Sequence, residues 1–77
     1  MTKQEILKNY NLNLEFEEND NNFNGLYDLM VDYSIATPEE INLVLAINGQ
    51  SVESLLDIVY VKTGLRSLEQ LSNEIAE

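Results

Sequence analysis

Apolar residues recur at helical spacing along the second half of the chain, most clearly after Ser51. The residues at this spacing are Val52, Leu55, Leu56 and Val59. They follow the i, i+3, i+4, i+7 pattern of a helix with one buried face. Ile58 and Val61 add apolar surface on another side, so this helix must be covered on most sides. We predict that it is the core of the protein, running from residue 52 to about residue 62, capped by Ser51 and ended by Gly64.

The tetrapeptide Thr37-Pro38-Glu39-Glu40 has the chemistry of a helix N-terminus. Thr37 supplies a capping oxygen, a proline at the first helical position loses no hydrogen bond, and Glu40 is placed to bond back to the cap. Both acids also favour the positive end of the helix dipole. This helix should end at Gly49. We therefore predict that Thr37–Gly64 forms a central helical hairpin.

The other predicted helices are short. Thr2 with Glu5, and Ser67 with Gln70, have the spacing of a capping box, which predicts one helix near each end of the chain. Apolar residues at helical spacing predict a further helix from about residue 24 to residue 34. Together these features predict an all-α fold, a compact bundle of four or five short helices in one domain that takes up residues 1–77.

One segment has a different pattern. From Leu12 to Glu17, apolar and polar residues alternate, which is the periodicity of a strand. No second strand is predicted to pair with it. We interpret the segment as an extended arm laid on the helices, or as an edge available to another chain.

Charge and missing residue types narrow the function. The 77 residues include 14 acidic and 4 basic side chains, no histidine and no cysteine, for a formal charge of −10. Such a chain repels nucleic acid and anionic membranes, so its expected partner is a basic protein surface. Because the commonest general base and transition-metal ligands are missing, we expect no enzyme, no cofactor and no metal. The N-terminus lacks the apolar core of a signal peptide, and no stretch reaches the roughly 20 apolar residues of a membrane span, so we expect a cytoplasmic protein.

Acidic residues are densest before and within the helix predicted over residues 24–34. Four acids lie close together between residues 15 and 20, and Asp28 and Asp32 are one helical turn apart, where like charges cost stability. We predict that these acids form a face that binds a basic partner, with two tyrosines as aromatic anchors. The predicted partner-binding residues are Glu15, Glu17, Glu18, Asp20, Tyr27, Asp28, Asp32 and Tyr33. The alternative is an ordinary solvated surface.

Two local motifs suggest other functions. Residues 20–28 follow the D-x-[DN]-x-[DN]-G pattern of an EF-hand or dockerin-like calcium loop, but Val31 stands where the bidentate glutamate should be. The alternative there is an asparagine-rich turn whose side chains bond the backbone. Thr37–Lys62 has the outline of a helix-turn-helix, but its second helix presents Glu53 and Asp57 where a recognition helix needs basic or amide groups.

Three segments carry a resemblance to known proteins. They are Tyr27–Met30, Thr37–Ile41 and Lys62–Gln70. With its bias toward Asn, Glu, Ile and Leu, the last two-thirds of the chain resembles small acidic proteins encoded by phages and prophages of Gram-positive bacteria. Some such proteins inhibit host defences, including anti-CRISPR proteins that block the DNA-binding surface of a nuclease. The resemblance implies a non-enzymatic inhibitor that docks on a basic, nucleic-acid-binding host protein as a DNA mimic, and it supplies no catalytic residues.

An alternative function depends on apolar surface. Leu43 and Ile47 widen the first helix of the predicted hairpin beyond a single apolar stripe. A second copy of the chain could cover this excess in a symmetric homodimer. The protein would then be a small helical homo-oligomer with a structural or assembly role in a phage. Salt separates the two functions, because ionic strength weakens an acidic interface and leaves an apolar one intact.

Overall fold

Five α-helices and one 3₁₀ turn make up the part of the chain that the computed structural model describes, which is residues 2–16 and 21–76. The helices are α1 (Lys3–Asn9), α2 (Asn21–Asp32), α3 (Pro38–Asn48), α4 (Val52–Thr63) and α5 (Leu68–Ile75), and the 3₁₀ turn is Leu14–Phe16. The predicted all-α bundle is confirmed. Over these residues, no helix combines the length and the hydrophobicity that crossing a membrane requires.

Helix α4 lies at the centre of the packing, as its apolar pattern predicts. It packs against both α2 and α3, while α1 packs against α5. The buried apolar residues come from all five helices and the segments between them. They are Ile6, Leu12, Leu26, Leu29, Met30, Ala36, Ile41, Leu45, Val52, Leu55, Ile58, Val59, Leu68 and Leu71. The central helical hairpin is confirmed, because α3 and α4 are joined by a three-residue turn and lie against each other.

Side-chain caps begin α3 and α1 as predicted. The Thr37 hydroxyl accepts a hydrogen bond from the Glu40 backbone N–H at 3.2 Å, and the Glu40 carboxylate accepts one from the Thr37 N–H at 3.1 Å. Thr2 and Glu5 form the same reciprocal pair. Glu40 also bonds to the Lys62 ammonium, which links the start of α3 to the end of α4. That ammonium, followed by the bonds from Thr37, holds the pKa of Glu40 below its usual value.

The ends of α4 and the start of α5 also follow the predicted chemistry, with one difference. Gly64 ends α4 in the left-handed conformation, with φ 81°, and its N–H donates to the Tyr60 carbonyl. Ser67 caps α5 by accepting from the Gln70 N–H. The Gln70 side chain bonds to the Arg66 N–H and does not complete a box with Ser67. The Gln70 side chain therefore holds Arg66, the residue before the cap, and does not bond to Ser67 itself.

The N-terminal helices end without glycine, which is why their predicted bounds are inexact. Asn11 (φ 53°) follows α1 and Ser34 (φ 55°) follows α2, both in the left-handed region. In each case the next N–H bonds five residues back, from Leu12 to the Leu7 carbonyl and from Ile35 to the Met30 carbonyl, each at 2.8 Å. These are Schellman motifs. As a result, α2 ends at Asp32, where the pattern predicts an end at about residue 34. Its start at Asn21, three residues before the predicted one, is a separate difference.

The prediction of an extended arm over Leu12–Glu17 is wrong from Leu14 onward. The Asn13 side-chain oxygen accepts a hydrogen bond from the Glu15 N–H at 2.9 Å, which turns the chain into the 3₁₀ turn. The two leucines of the alternating pattern still pack inward, because Leu12, before the turn, is buried and Leu14, its first residue, is half-buried against the core. Glu17 lies outside the described residues.

Candidate functional site

A polar pocket opens between the C-terminal end of α1 and one side of α2. Its volume is 510 Å³. It is lined by Asn9, Tyr10, Asn11, Asn24, Gly25, Asp28 and Asp32. We refer to this site as the acidic pocket, because its two charged groups are carboxylates.

Asp28 and Asp32 lie on the same side of α2, as their spacing predicts. Residues four apart on a helix have Cβ atoms about 6 Å from each other, so the two negative charges repel. Both side chains are exposed. Neither forms an ion pair with any residue in the described part of the chain. The pocket therefore holds two neighbouring carboxylates without a basic neighbour to neutralise them.

Tyr10 brings a phenol to these carboxylates from α1. Its hydroxyl donates a hydrogen bond to an Asp32 carboxylate oxygen at 2.7 Å. This bond, with burial and the nearby negative charge, raises the pKa of Tyr10 to about 12. The Tyr10 ring also lies against the Tyr33 ring, with centroids 6.5 Å apart and planes inclined by 58°. The phenol stays protonated at neutral pH and orients Asp32.

Gly25 allows the end of α1 to sit directly on α2. A Cβ atom at this position would lie only 1.9 Å from the Tyr10 carbonyl oxygen and 3.1 Å from a methyl group of Leu12. Any larger residue would therefore push the α1 terminus away. The close approach of the two backbones is what places the Tyr10 phenol within reach of Asp32.

Asn22 holds the following segment in place. Its side-chain oxygen accepts from the Asn13 N–H at 2.8 Å, and its side-chain nitrogen donates to the Asn13 carbonyl at 2.9 Å. The side chain is fully buried. It therefore fastens the chain between α1 and α2 to α2 through both backbone groups of one residue.

The structure brings only part of the predicted partner-binding set together. Asp28 and Asp32 line the acidic pocket, and Tyr33 is 40% exposed beside Tyr10. Tyr27 is half-buried and packs against the core, which leaves less of its ring for a partner. Glu15 is exposed on the 3₁₀ turn and does not line the pocket. The other predicted residues, Glu17, Glu18 and Asp20, lie outside the described part of the chain.

Sequence reasoning missed Tyr10 and Gly25. The available signal for Gly25 is a glycine within a helical stretch, which indicates a close backbone approach. Gly25 belongs both to the helix predicted over residues 24–34 and to the calcium-loop motif, and the motif assigns it to a loop. No local signal marks Tyr10, which lies 22 residues before its partner Asp32.

The calcium-loop interpretation does not fit the structure from residue 21 onward. Asn22, Asn24 and Asp28 lie on helix α2, so they do not wrap around a common centre as loop ligands do. Asn22 is also fully buried with both side-chain polar atoms bonded to Asn13. The alternative prediction, asparagine side chains that bond the backbone, fits Asn22. Asp20, the first residue of the motif, is not among the described residues.

Acidic side chains outside the pocket are spread over the 3₁₀ turn and the other four helices. They are Glu5 on α1, Glu15 on the 3₁₀ turn, Glu39 and Glu40 on α3, Glu53 and Asp57 on α4, and Glu69 and Glu74 on α5. Lys3 pairs with Glu69 at 3.4 Å and Lys62 pairs with Glu40. Across residues 2–16 and 21–76, the negative charge is therefore not gathered into one patch. Glu53 and Asp57 have the same four-residue spacing on α4 and likewise form no ion pair with a described residue, so the acidic pocket is distinguished by the Tyr10 hydroxyl bonded to Asp32.

Comparison with known proteins found no match, whether to a protein-family model, to a curated protein or to a solved structure.

Proposed function

We propose that the protein is a non-enzymatic binding protein whose acidic pocket accepts a basic side chain from a partner protein. One observation carries this proposal: Asp28 and Asp32 are adjacent and exposed, without a basic neighbour in the described structure, next to the Tyr10 hydroxyl. An arginine or lysine placed between the carboxylates would remove their mutual repulsion. The tyrosines beside the pocket would supply aromatic contact area for the same partner.

Because its carboxylates are exposed, the acidic pocket contributes to the recognition of a basic side chain more than to the free energy of binding. An exposed ion pair is worth about 0–1 kcal/mol, and its main effect is on association rate and on specificity. Two carboxylates acting on one cation add to at most about 2 kcal/mol, and a tenfold change in Kd, which is about 1.4 kcal/mol, lies within this limit. The charge of −10 over the whole chain would increase the rate at which a cationic partner is captured.

A second, more specific part of the proposal is that this binding inhibits the partner protein. A basic protein surface large enough to attract this chain is typical of proteins that bind nucleic acid. By occupying such a surface, the protein would act as an inhibitor of the phage type, an anti-CRISPR-like DNA mimic that excludes the nucleic acid of a nuclease or another host protein. The resemblance to small acidic phage proteins, carried by Thr37–Ile41 and the segments named with it, supports this part.

The test compares two double variants with the same change in charge. Asp28→Asn/Asp32→Asn removes the acidic pocket, whereas Glu39→Gln/Glu53→Gln removes two exposed carboxylates elsewhere. Immobilised wild-type protein captures partners from a bacterial lysate at low salt, and mass spectrometry identifies what elutes with salt. For each purified partner, we expect the pocket variant to raise Kd about tenfold and the control variant to leave it nearly unchanged.

Two results would count against the proposal. Equal weakening by both double variants would mean that only total charge matters, and no weakening by either would mean that the carboxylates do not contact the partner. Circular dichroism of each variant checks that the fold is kept. Addition of the wild-type protein to a partner bound to nucleic acid tests inhibition separately, because a binding protein that is not an inhibitor would leave that complex intact.

A second candidate function has its own supporting observation. Leu43, Ile47 and Val61, all on the hairpin, are 64%, 74% and 83% exposed. Apolar surface of this kind favours the alternative of a small helical homo-oligomer with a structural or assembly role. Sedimentation at high salt distinguishes this function, because an assembly held by apolar contacts persists there.

A further inference from the structure

An apolar groove runs between α3 and α4, on elements that do not form the acidic pocket. Its volume is 270 Å³. Val44 of α3 and Ile58 and Val61 of α4 provide its apolar lining. The ion pair between Glu40 and Lys62 lies at one end, where the start of α3 meets the end of α4. We call this site the hairpin groove.

Exposed aliphatic side chains lie on the side of α3 that carries Val44, although they do not line the hairpin groove itself. Ile47 follows Val44 by three positions and Leu43 by four, so the three residues share one side of α3. Five large apolar side chains are exposed in the described part of the chain, and these two and Val61 are the aliphatic ones. The remaining two are tyrosines with aromatic or cationic neighbours. The three most exposed aliphatic side chains of the described residues therefore all lie on the hairpin.

The charges around the hairpin groove select its occupant. The hairpin carries four acids, Glu39, Glu40, Glu53 and Asp57, and one base, Lys62. The base is already bonded to Glu40. Asp57 lines the groove and forms no ion pair with any described residue, and the nearby Arg66, which lines a neighbouring pocket with Asp57, lies over the Tyr60 ring. A second copy of the chain would bring the same excess of negative charge to the contact. A partner with basic groups beside its apolar surface would meet opposite charge instead.

We infer that the hairpin groove binds an amphipathic helix of a partner protein, with an apolar stripe bordered by lysine or arginine. Helix α3 has 11 residues, or about 16 Å, so the groove offers roughly three turns of helix to such a partner. The apolar stripe contacts Val44, Ile47 and Val61, and a basic side chain beside it reaches Asp57. This is helix-in-groove recognition. It does not depend on the acidic pocket, because no residue is shared.

The test uses model peptides and the full chain. The probe is a fluorescently labelled helical peptide of leucine and lysine with leucine at helical spacing, followed by anisotropy. A scrambled peptide of the same composition reports attraction to charge alone. We expect the amphipathic peptide to bind at least tenfold more tightly than the scrambled one, and this difference should persist at 0.5 M salt.

Val61→Asp is the decisive variant, because it makes the protein more negative and removes apolar surface from the groove. If binding depended only on general attraction to the cationic peptide, Val61→Asp would strengthen it. If the peptide binds in the hairpin groove, Val61→Asp should weaken binding at least tenfold. Asn73→Asp, at an exposed position of α5, adds the same charge away from the groove and is the matched control. Val61→Ser tests the apolar contact without added charge and should also weaken binding.

Three results would overturn the inference. One is unchanged or tighter binding to both Val61 variants when circular dichroism shows an intact fold. Another is equal binding of the amphipathic and scrambled peptides. The third is a dimer in sedimentation experiments that Val61→Asp dissociates, since the occupant would then be a second copy of the chain.

Discussion

Replacing Gly25 by alanine should destabilise the protein, although alanine is the better helix former. Gly25 lies within α2, where the change would ordinarily add about 1 kcal/mol of stability. Here the new methyl group would lie 1.9 Å from the Tyr10 carbonyl oxygen, 3.0 Å from its carbonyl carbon and 3.1 Å from a Leu12 methyl group. The Leu12 side chain can rotate, but the Tyr10 carbonyl belongs to the backbone. The end of α1 must therefore move.

The size of the effect follows from that displacement. Because Cβ atoms essentially never come within 3.0 Å of such a neighbour, the α1 terminus must retreat by about 1 Å. Overpacking that shifts backbone costs about 1–3 kcal/mol or more, and this shift also strains the bond between Tyr10 and Asp32. Because the contact at 1.9 Å is with backbone, we take the upper end of this range, about 3 kcal/mol. After the gain of about 1 kcal/mol in helix propensity is subtracted, we expect a net loss of about 2 kcal/mol. For a domain of this size, the melting temperature should fall by about 10 °C.

Urea and thermal unfolding, followed by circular dichroism at 222 nm, measure this change. Asn24→Ala is the matched control, because Asn24 is the exposed neighbour of Gly25 on the same helix and alanine there gains propensity without an overlap. The control should be slightly more stable than the wild type. If Gly25→Ala were also more stable, the close seating of α1 on α2 would be refuted, and the geometry of the acidic pocket with it.

Two further predictions test the contacts around the pocket. Tyr10→Phe should remove a tyrosinate transition near pH 12 in absorbance at 295 nm. Since folding raises the pKa of Tyr10 from 10.0 to about 12, the bond to Asp32 stabilises the fold fully below pH 10. This stabilisation is lost as the pH rises through 12. A variant that retains the transition would contradict this assignment. Asn22→Ala should lower the free energy of unfolding by about 1–3 kcal/mol in urea titrations, because it removes two hydrogen bonds to Asn13. An unchanged unfolding midpoint would show that water replaces both bonds.

Local chemistry was sufficient to predict the hairpin and the caps of α1 and α5. The Thr37 capping box, the Ser51 cap and the left-handed Gly64 each act within about one turn of helix, so a short stretch of sequence contains all their partners. The ends of α1 and α2 were less predictable, because Asn11 and Ser34 take the left-handed conformation that glycine usually marks. The 3₁₀ turn was mispredicted, since one Asn13 side-chain bond outweighed an alternating pattern.

In the acidic pocket and the hairpin groove, likewise, local sequence predicts some features and tertiary packing decides the others. Helical periodicity alone places Asp28 beside Asp32, and it also predicts that Leu43 and Ile47 widen α3. Which helices pack together decides whether the Tyr10 phenol reaches Asp32. It also decides whether the widened face of α3 stays exposed to solvent. Such contacts join residues far apart in the chain, and they form only where packing permits, as at Gly25 under the Tyr10 carbonyl. No local pattern of apolar and polar residues encodes that approach.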